Sequence, residues 1–333
     1  MQSKDNLETP ITNNKSRITA LVTGATGFVG SHLVRRLIKD SWEAHIITRS
    51  SSNLKLLEDV AGKVIVHQHN GTTSSMINIV KEAEPGIVFH LASLFLAQHI
   101  SEDIEHLVQS NLLFGVQLAE AMTLQGVTKL INTGTSWQHY ENEDYNPVCL
   151  YAATKQAFKD MLKFYVKTSE LKVITLKLFD TYGPDDPRPK LFTLLRKVAE
   201  GQTKLAMSQG EQLIDLVYID DVIDGYLQAA RRLLDNKVSG MEEYAISSGN
   251  PISLKDLVTV YGRIVKKPMP INWGGRPYRF REVMVPWNKG KNLPGWKPKV
   301  GLIEGIKRME KTEESPQARP DLSLPNIFMG ICT

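Results

Sequence analysis

Short apolar runs alternate with helical patterns along the first half of the chain. The runs are mostly rich in Ile, Val or Leu, as strands covered on both faces are. They predict strands at Ile18–Thr23, Ala44–Thr48, Lys63–His67, Gly86–Leu91, Lys129–Thr133 and Val173–Phe179. Between them, apolar residues at three-and-four spacing predict helices at Ser31–Lys39, Val108–Leu124 and Tyr151–Thr168. This alternation indicates an α/β fold with a doubly wound parallel sheet.

The pattern changes after Tyr182, where residues 183–189 form a loop rich in Pro and Asp. A strand at Leu213–Ile219 and helices at Asp220–Leu234 and Ser253–Val265 follow. We therefore predict a flexible leader at 1–16, a sheet domain at 17–182 to which 213–234 return, a smaller C-terminal substrate lobe at 183–311, and a loose tail at 312–333.

Composition narrows the class of protein. The 333 residues carry a net charge of +4 and no long basic run, so nucleic acid is not an expected partner. The two cysteines, Cys149 and Cys332, have no disulfide or metal-site spacing, and we expect no metal. No apolar stretch reaches the length of about 18 residues that a membrane span needs. We expect a cytoplasmic protein without a membrane partner.

A glycine-rich turn follows the first predicted strand and opens the first predicted helix. It reads Thr23-Gly24-Ala25-Thr26-Gly27-Phe28-Val29-Gly30. In this context three glycines at three-residue spacing predict a Rossmann dinucleotide site, with the pyrophosphate at the helix N-terminus. The expected cofactor contacts in this turn are Gly24, Thr26, Gly27, Phe28, Val29 and Gly30.

The end of the second predicted strand bears on which dinucleotide binds. An acid there would hold the ribose 2′-hydroxyl of NAD(H), whereas an arginine accepts the 2′-phosphate of NADP(H). The chain has Arg49 followed by three serines, and no carboxylate. This favours NADP(H), while NAD(H) stays possible because Arg49 could simply stack on the adenine.

Tyr151 and Lys155 lie one helical turn apart after the fifth predicted strand. A neighbouring ammonium lowers the pKa of a phenol, which would let Tyr151 exchange a proton with a carbonyl or alcohol. Lys155 could also hold the nicotinamide ribose. The preceding strand ends in Thr133-Gly134-Thr135-Ser136, where α/β sheets place their ligands. We expect Thr135 to polarise the reacting carbonyl, with Ser136 as the alternative.

These features together resemble the extended short-chain dehydrogenase/reductase superfamily, the NAD-dependent epimerase/dehydratase family, over about Arg17–Met309. Further family motifs are His90-Leu91-Ala92-Ser93, Asn111, Tyr182-Gly183-Pro184, Val217–Asp221 and Leu293–Pro298. The resemblance implies cofactor contacts at Leu91, Ala92, Ser93 and Asn70, the last standing where the family commonly has Asp. It also implies a homodimer formed through the helices Val108–Leu124 and Tyr151–Thr168.

The departures from the family narrow the expected reaction. Dehydratases of the family have an Asp-Glu pair after the catalytic Thr, but here Ser136-Trp137 follow Thr135. Several segments are similar to reductases of the CDP-abequose synthase type, which implies NADPH-dependent reduction of a C4 ketone in a nucleotide-diphosphate deoxyhexulose. Ser136, Trp137 and Arg281 are then the expected substrate contacts. An NAD-dependent nucleotide-sugar 4-epimerase and a cofactor-sensing regulator without turnover are the alternatives.

Overall fold

The computed structural model describes residues 17–201 and 204–313. Within these ranges the strands are β1 (Thr19–Thr23), β2 (Glu43–Thr48), β3 (Val64–Gln68), β4 (Ile87–His90), β5 (Lys129–Thr135), β6 (Lys172–Leu178), β7 (Asp180–Tyr182), β8 (Leu205–Met207), β9 (Leu213–Ile214), β10 (Leu216–Tyr218), β11 (Met241–Ile246), β12 (Ile252–Ser253) and β13 (Ile271–Trp273). The helices are α1 (Phe28–Lys39), α2 (Thr73–Ala83), α3 (Ile104–Val108), α4 (Phe114–Leu124), α5 (Leu150–Thr168), α6 (Leu191–Ala199), α7 (Ile219–Leu234), α8 (Leu254–Val265) and α9 (Leu302–Glu313).

Seven strands form one parallel sheet in the order β11-β6-β5-β4-β1-β2-β3. The strand order reverses between β1 and β4, so the ends of these two strands open a crevice where an α/β sheet binds its ligand. The predicted doubly wound parallel sheet is confirmed. All six predicted strands agree with β1 to β6 to within two residues.

Helices cover both faces of the sheet. On β1, Ala20 and Val22 belong to the same buried cluster as α1 and α7, whereas Leu21 belongs to the cluster of α2, α4 and α5. Alternate residues of a strand point to opposite faces, so a strand buried on both sides must be apolar throughout. This is why the predicted strands are continuous apolar runs.

The residues after Tyr182 contribute to both parts of the molecule. Helix α7 packs against α1, β5 and β6, as expected for residues that return to the sheet domain. Residues 241–246, which the sequence division gave to the substrate lobe, instead form β11 at the edge of the main sheet. The smaller lobe consists of α6, α8 and α9 with the two-stranded pairs β13-β8 and β12-β9.

Two motifs of the second half meet at the start of α7. The Trp296 indole N–H donates to the Asp221 carbonyl at 2.8 Å, and the Val300 amide donates to the Asp221 carboxylate at 2.9 Å. These contacts join the segment before α9 to the sheet domain.

The predicted leader and tail fall largely outside the described part of the chain. The leader, 1–16, is not described; α9 continues to Glu313, and residues 314–333 lie beyond it. None of the described helices has the length and apolarity to cross a membrane.

Candidate functional site

The glycine turn between β1 and α1 has the geometry of a phosphate cradle. Gly24 has φ of 70°, and a Cβ there would lie 2.6 Å from the Ala92 amide nitrogen. A Cβ on Gly30 would lie 2.1 Å from the Gly24 carbonyl oxygen. Both positions therefore require glycine. Gly27 caps α1 without a side-chain hydrogen bond, which leaves the first-turn amides of Phe28 and Val29 to face an anion.

The other expected dinucleotide contacts border the same crevice. Thr26 lies within the turn, and Leu91, Ala92 and Ser93 follow β4, whose backbone the turn touches at Ala92. Arg49 is exposed directly after β2. Asn70 is exposed after β3, and its side-chain oxygen accepts bonds from the Thr72 amide and hydroxyl before α2. The structure thus places these residues at the carboxyl ends of four neighbouring strands.

Asn111 fixes the loop that follows β4. It lies in a π-helical turn, Gln109–Leu113, between α3 and α4. Its side-chain oxygen accepts from the Leu94 amide at 2.6 Å, and its amide group donates to the Leu94 carbonyl and to the Thr154 hydroxyl. This buried amide therefore fastens the loop that carries Ser93 to helix α5.

Tyr151 and Lys155 lie on the buried face of α5. The Tyr151 phenol forms a hydrogen bond with Ser93, and burial raises its pKa to about 12. The expectation that Lys155 makes this phenol acidic is not met here, because burial dominates and Lys155 does not contribute to the pKa shift of Tyr151. The phenol is therefore protonated at neutral pH.

Lys155 is 3% exposed, and burial lowers its pKa to about 8. Its ammonium has no hydrogen bond or ion pair with the residues that the structure describes. A buried cation without a protein partner costs free energy unless a ligand supplies one. Lys155 is therefore placed to receive a polar group from a bound molecule.

The turn after β5 separates the two candidate hydroxyls. The Thr135 hydroxyl accepts from the Trp137 amide at 3.2 Å, and the Thr135 amide donates to the buried Gln138 side chain at 3.1 Å. Thr135 thus caps the short 3-10 turn that follows. Ser136, the alternative candidate, lines an adjoining cavity.

This cavity is formed by the segments that directly follow β5 and β6 and by residues 212–215 and 279–287. Its walls include Trp137, which the sequence predicts as a substrate contact, and also Tyr140, Gln212 and Trp287. The His139 ring stacks on Trp287 at a centroid distance of 3.9 Å. Burial and Lys177 lower the pKa of His139 to about 4, so this ring is a neutral wall of the cavity.

Arg281, the expected diphosphate contact, is placed outside this lining. Its guanidinium bonds to the Asn146 side chain and lies 4.2 Å from the Tyr140 ring centroid. Arg279, two residues earlier, lines the cavity instead. It pairs with Glu282 at 2.9 Å and lies 5.4 Å from the Trp137 ring centroid.

Three further residues of the site escaped the sequence reasoning. Phe95 is 39% exposed and connects the cavity to the phenol, with ring centroids 5.5 Å from Trp137 and 5.0 Å from Tyr151. The Lys190 ammonium lies 5.3 Å from the Phe95 centroid, and Asp180 lines the cavity at the start of β7. The Pro- and Asp-rich composition of 183–189 predicts a loop. It does not predict that Lys190, the residue directly after this loop, lies over Phe95.

Comparison with known proteins identifies the family of the chain. The sequence model of the NAD dependent epimerase/dehydratase family matches residues 20–242. A UDP-glucose 4-epimerase from Mycolicibacterium smegmatis is 27% identical over 304 residues, covering 86% of this chain and 95% of that protein. A CDP-abequose synthase from Salmonella muenchen is 24% identical over 297 residues, covering 88% and 97%.

The fold also matches solved structures. The crystal structure of a UDP-glucose 4-epimerase from Thermus thermophilus, in complex with NAD, has a TM-score of 0.76 at 23% identity. The match covers 89% of this chain and 99% of that one. At this identity the likeness shows the shared fold.

Proposed function

The chain belongs to the NAD-dependent epimerase/dehydratase family and is an NAD(P)-dependent enzyme that modifies a sugar nucleotide; from this premise we propose that it uses NADPH to reduce the C4 ketone of a nucleotide-diphosphate deoxyhexulose. One observation carries this proposal: a protonated phenol, Tyr151, lies one helical turn from a buried ammonium, Lys155, that has no partner among the described residues. Reduction of a ketone requires a proton donor of this kind.

Each of these residues has a separate role in the proposed reduction. Bound NADPH supplies the hydride. Tyr151 gives its proton to the ketone oxygen, and the hydrogen bond from Ser93 stabilises the phenolate that remains. Lys155 holds the ribose hydroxyls. A hydroxyl of the turn after β5 donates a hydrogen bond to the same oxygen. We assign this donor to Ser136 rather than Thr135, because Ser136 lines the cavity and Thr135 does not.

NADPH is proposed over NADH because of the surroundings of the ribose site. Arg49 is exposed after β2, and no carboxylate stands between Thr48 and Ser52. A guanidinium at this place binds a 2′-phosphate through two hydrogen bonds. Gly24 and Gly30 allow the close backbone packing of the turn, and the amides at the start of α1 are left to face the pyrophosphate.

The nucleotide-diphosphate sugar is proposed to bind in the cavity that Ser136, Trp137 and Arg279 line. The Arg279 guanidinium is proposed to bind the diphosphate, and the contact between Arg279 and Glu282 holds the Arg279 side chain in place. Arg281 is retained only as a support of the cavity wall, through Asn146 and Tyr140. We propose a homodimer as the assembly that carries this site.

The test is turnover of a defined ketone. Purified protein is mixed with NADPH and CDP-4-dehydro-3,6-dideoxyglucose, and the loss of NADPH absorbance is followed; NADH is run in parallel and should react more slowly. Tyr151→Phe should lower the rate by about 10²- to 10⁴-fold, because the proton donor is lost. Its NADPH affinity, measured by fluorescence, should change less than about twofold, since the phenol contributes little to dinucleotide binding.

Other outcomes select the alternatives. NAD retained through purification, together with interconversion of UDP-glucose and UDP-galactose without net NADPH loss, would identify an epimerase. NADPH binding without turnover of any nucleotide-linked 4-keto sugar would identify a regulator. Full turnover by Tyr151→Phe would remove this phenol from the mechanism.

A further inference from the structure

Asp180 is a half-buried carboxylate in the wall of the substrate cavity. It is the first residue of β7, two positions beyond Leu178, which pairs with Thr135 across the sheet. The strand register thus places Asp180 beside the turn of Ser136 and Trp137. Asp180, Ser136 and Trp137 all line the same cavity.

The Asp180 carboxylate has no hydrogen bond and no ion pair with any residue in the described part of the chain. The two other acids of the cavity are satisfied. Asp215 accepts from the Ser247 hydroxyl and the Ser248 amide, and Glu282 is paired with Arg279. Desolvation raises the pKa of Asp180 to about 6, against the opposing effect of Lys190.

The cations around Asp180 are engaged elsewhere. Arg188 holds both oxygens of Asp186 at 2.6 Å, Arg279 holds Glu282, and the Lys190 ammonium lies over the Phe95 ring. They therefore attract the carboxylate from a distance without satisfying it. An unsatisfied acceptor in a cavity wall is unfavourable until a ligand brings a donor.

Several contacts place Asp180 at the reactive end of the cavity. Arg188 acts electrostatically on both Asp180 and Tyr151. Lys190, the cation that lowers the pKa of Asp180 most, lies over Phe95, whose ring meets Tyr151 edge-on at 5.0 Å. The sugar must lie at this end, because its carbonyl has to reach the phenol. The diphosphate is an acceptor and cannot satisfy a carboxylate.

We propose that Asp180 is a specificity-determining residue that accepts a hydrogen bond from a hydroxyl group on the ring of the reacting sugar. The proposal rests on the nucleotide-sugar binding proposed above. In a 4-keto-3,6-dideoxyhexose the ring carbons C3 and C6 carry no hydroxyl and C4 is the ketone. The donor is then the C2 hydroxyl. By holding it, Asp180 orients the ring so that the C4 carbonyl meets Tyr151.

The test compares two sugars and three variants by calorimetry. The full chain, saturated with NADPH, is titrated with CDP-glucose and with CDP-2-deoxyglucose, and again with the corresponding UDP sugars. The wild type should bind the 2-deoxy sugar about 10- to 100-fold more weakly, the value of one hydrogen bond to a charged group. Asp180→Ala should reduce this ratio to less than about threefold, and Asp180→Asn, which keeps a neutral acceptor, should give an intermediate ratio.

Asp185→Asn is the matched control. Asp185 is an exposed acid of the neighbouring loop with φ of 58°, a conformation that Asn also adopts, and it does not line the cavity. This variant removes one negative charge and should keep the wild-type ratio. Unchanged NADPH affinity in all variants shows that they are folded.

The outcomes separate this proposal from the one it rests on. If the wild type binds none of the four sugar nucleotides, both proposals fail. If it binds both sugars equally well, or if Asp180→Ala keeps the wild-type ratio, the assignment of Asp180 is overturned while nucleotide-sugar binding stands. An equal gain of affinity for both sugars in Asp180→Ala would show only that the Asp180 carboxylate repels the diphosphate. That result would also overturn the assignment of Asp180.

Discussion

The Lys155 ammonium carries a charge that the folded chain does not itself stabilise. It is buried on α5, and its pKa falls from an ordinary value of 10.5 to about 8 because of desolvation. Lys159, one turn later on the same helix, is also buried but lies 2.9 Å from Glu243. The difference between the two lysines indicates that Lys155 is kept for a ligand and Lys159 for the fold.

Lys155→Met should stabilise the protein without ligand. Below pH 8 the ammonium is charged in the folded and unfolded states, so the full desolvation cost is present; the cost fades as the pH rises from about 8 to 10.5. At pH 7 the free energy of unfolding should rise by about 3 kcal/mol, and the gain should fall to about 1 kcal/mol or less at pH 10. Urea unfolding at both pH values measures this, and turnover should be lost.

Lys159→Met is the control for this prediction. Removing one partner of a half-buried ion pair should lower the free energy of unfolding by about 1 kcal/mol, although Lys177 still neutralises Glu243 at 2.7 Å. If Lys155→Met is less stable than the wild type at pH 7, the ammonium has a partner in solution and its proposed role in holding the ribose loses its physical basis.

At the scale of the element, the turn after β5 contains residues with a structural role and one residue, Ser136, with a proposed catalytic role. Gln138 and Thr135 hold the turn, while Ser136 faces the cavity. Ser136→Ala should therefore lower kcat by about 10²- to 10³-fold, because one donor to the developing oxyanion is lost. Its thermal stability should stay close to that of the wild type, since the lost hydroxyl has no partner in the described residues.

Thr135→Val tests the other half of this division. Loss of a capping hydroxyl should cost about 1 kcal/mol of stability, with a smaller effect on kcat than in Ser136→Ala. Stability is followed by urea unfolding and kcat by NADPH consumption. A large loss of kcat in Thr135→Val with none in Ser136→Ala would return the catalytic role to Thr135, the residue that the sequence pattern favoured.

The sequence predicts those structural elements that depend only on residues close to one another along the chain. The Gly24 turn and the six strands follow from glycine spacing and from apolar runs, which neighbouring residues determine. Arg279 and Arg281 differ only in their surroundings, Tyr140, Asn146 and Trp137, which come from elsewhere in the chain. The pKa of Tyr151 likewise depends on burial beneath Phe95, so a lysine at helical spacing gives the wrong direction.

At the scale of the whole molecule, the lobe after Tyr182 reaches back to the dinucleotide crevice. The Arg188 guanidinium lies 4.7 Å from the centroid of Phe28, the residue that opens α1, and Asp186 holds it there. His32 on α1 contacts the Pro184 carbonyl at 3.3 Å. The loop after Tyr182 thus packs against the start of α1, next to the glycine turn.

The proposed homodimer can be located on the surface of the same fold. Helices α4 and α5 pack side by side, joined by the Tyr165 hydroxyl and Glu120, and they leave large apolar side chains exposed. These are Leu124 at 58%, Met161 at 42% and Phe164 at 63%. Association of two such pairs into a four-helix bundle would cover this surface by a twofold axis.

Phe164→Asp should therefore convert the dimer to a monomer. Light scattering after gel filtration should give twice the chain mass of 37.4 kDa for the wild type and the single mass for the variant. The folded monomer should keep its stability, because an exposed substitution changes it by about 0.5 kcal/mol or less. Ile303→Asp, at a comparably exposed position on α9, should stay dimeric. A wild type of single mass, or a dimeric Phe164→Asp, would contradict the assignment of this face. If Phe164→Asp loses both the dimer and turnover, the paired helices also keep α5 in position, and with it Tyr151 and Lys155.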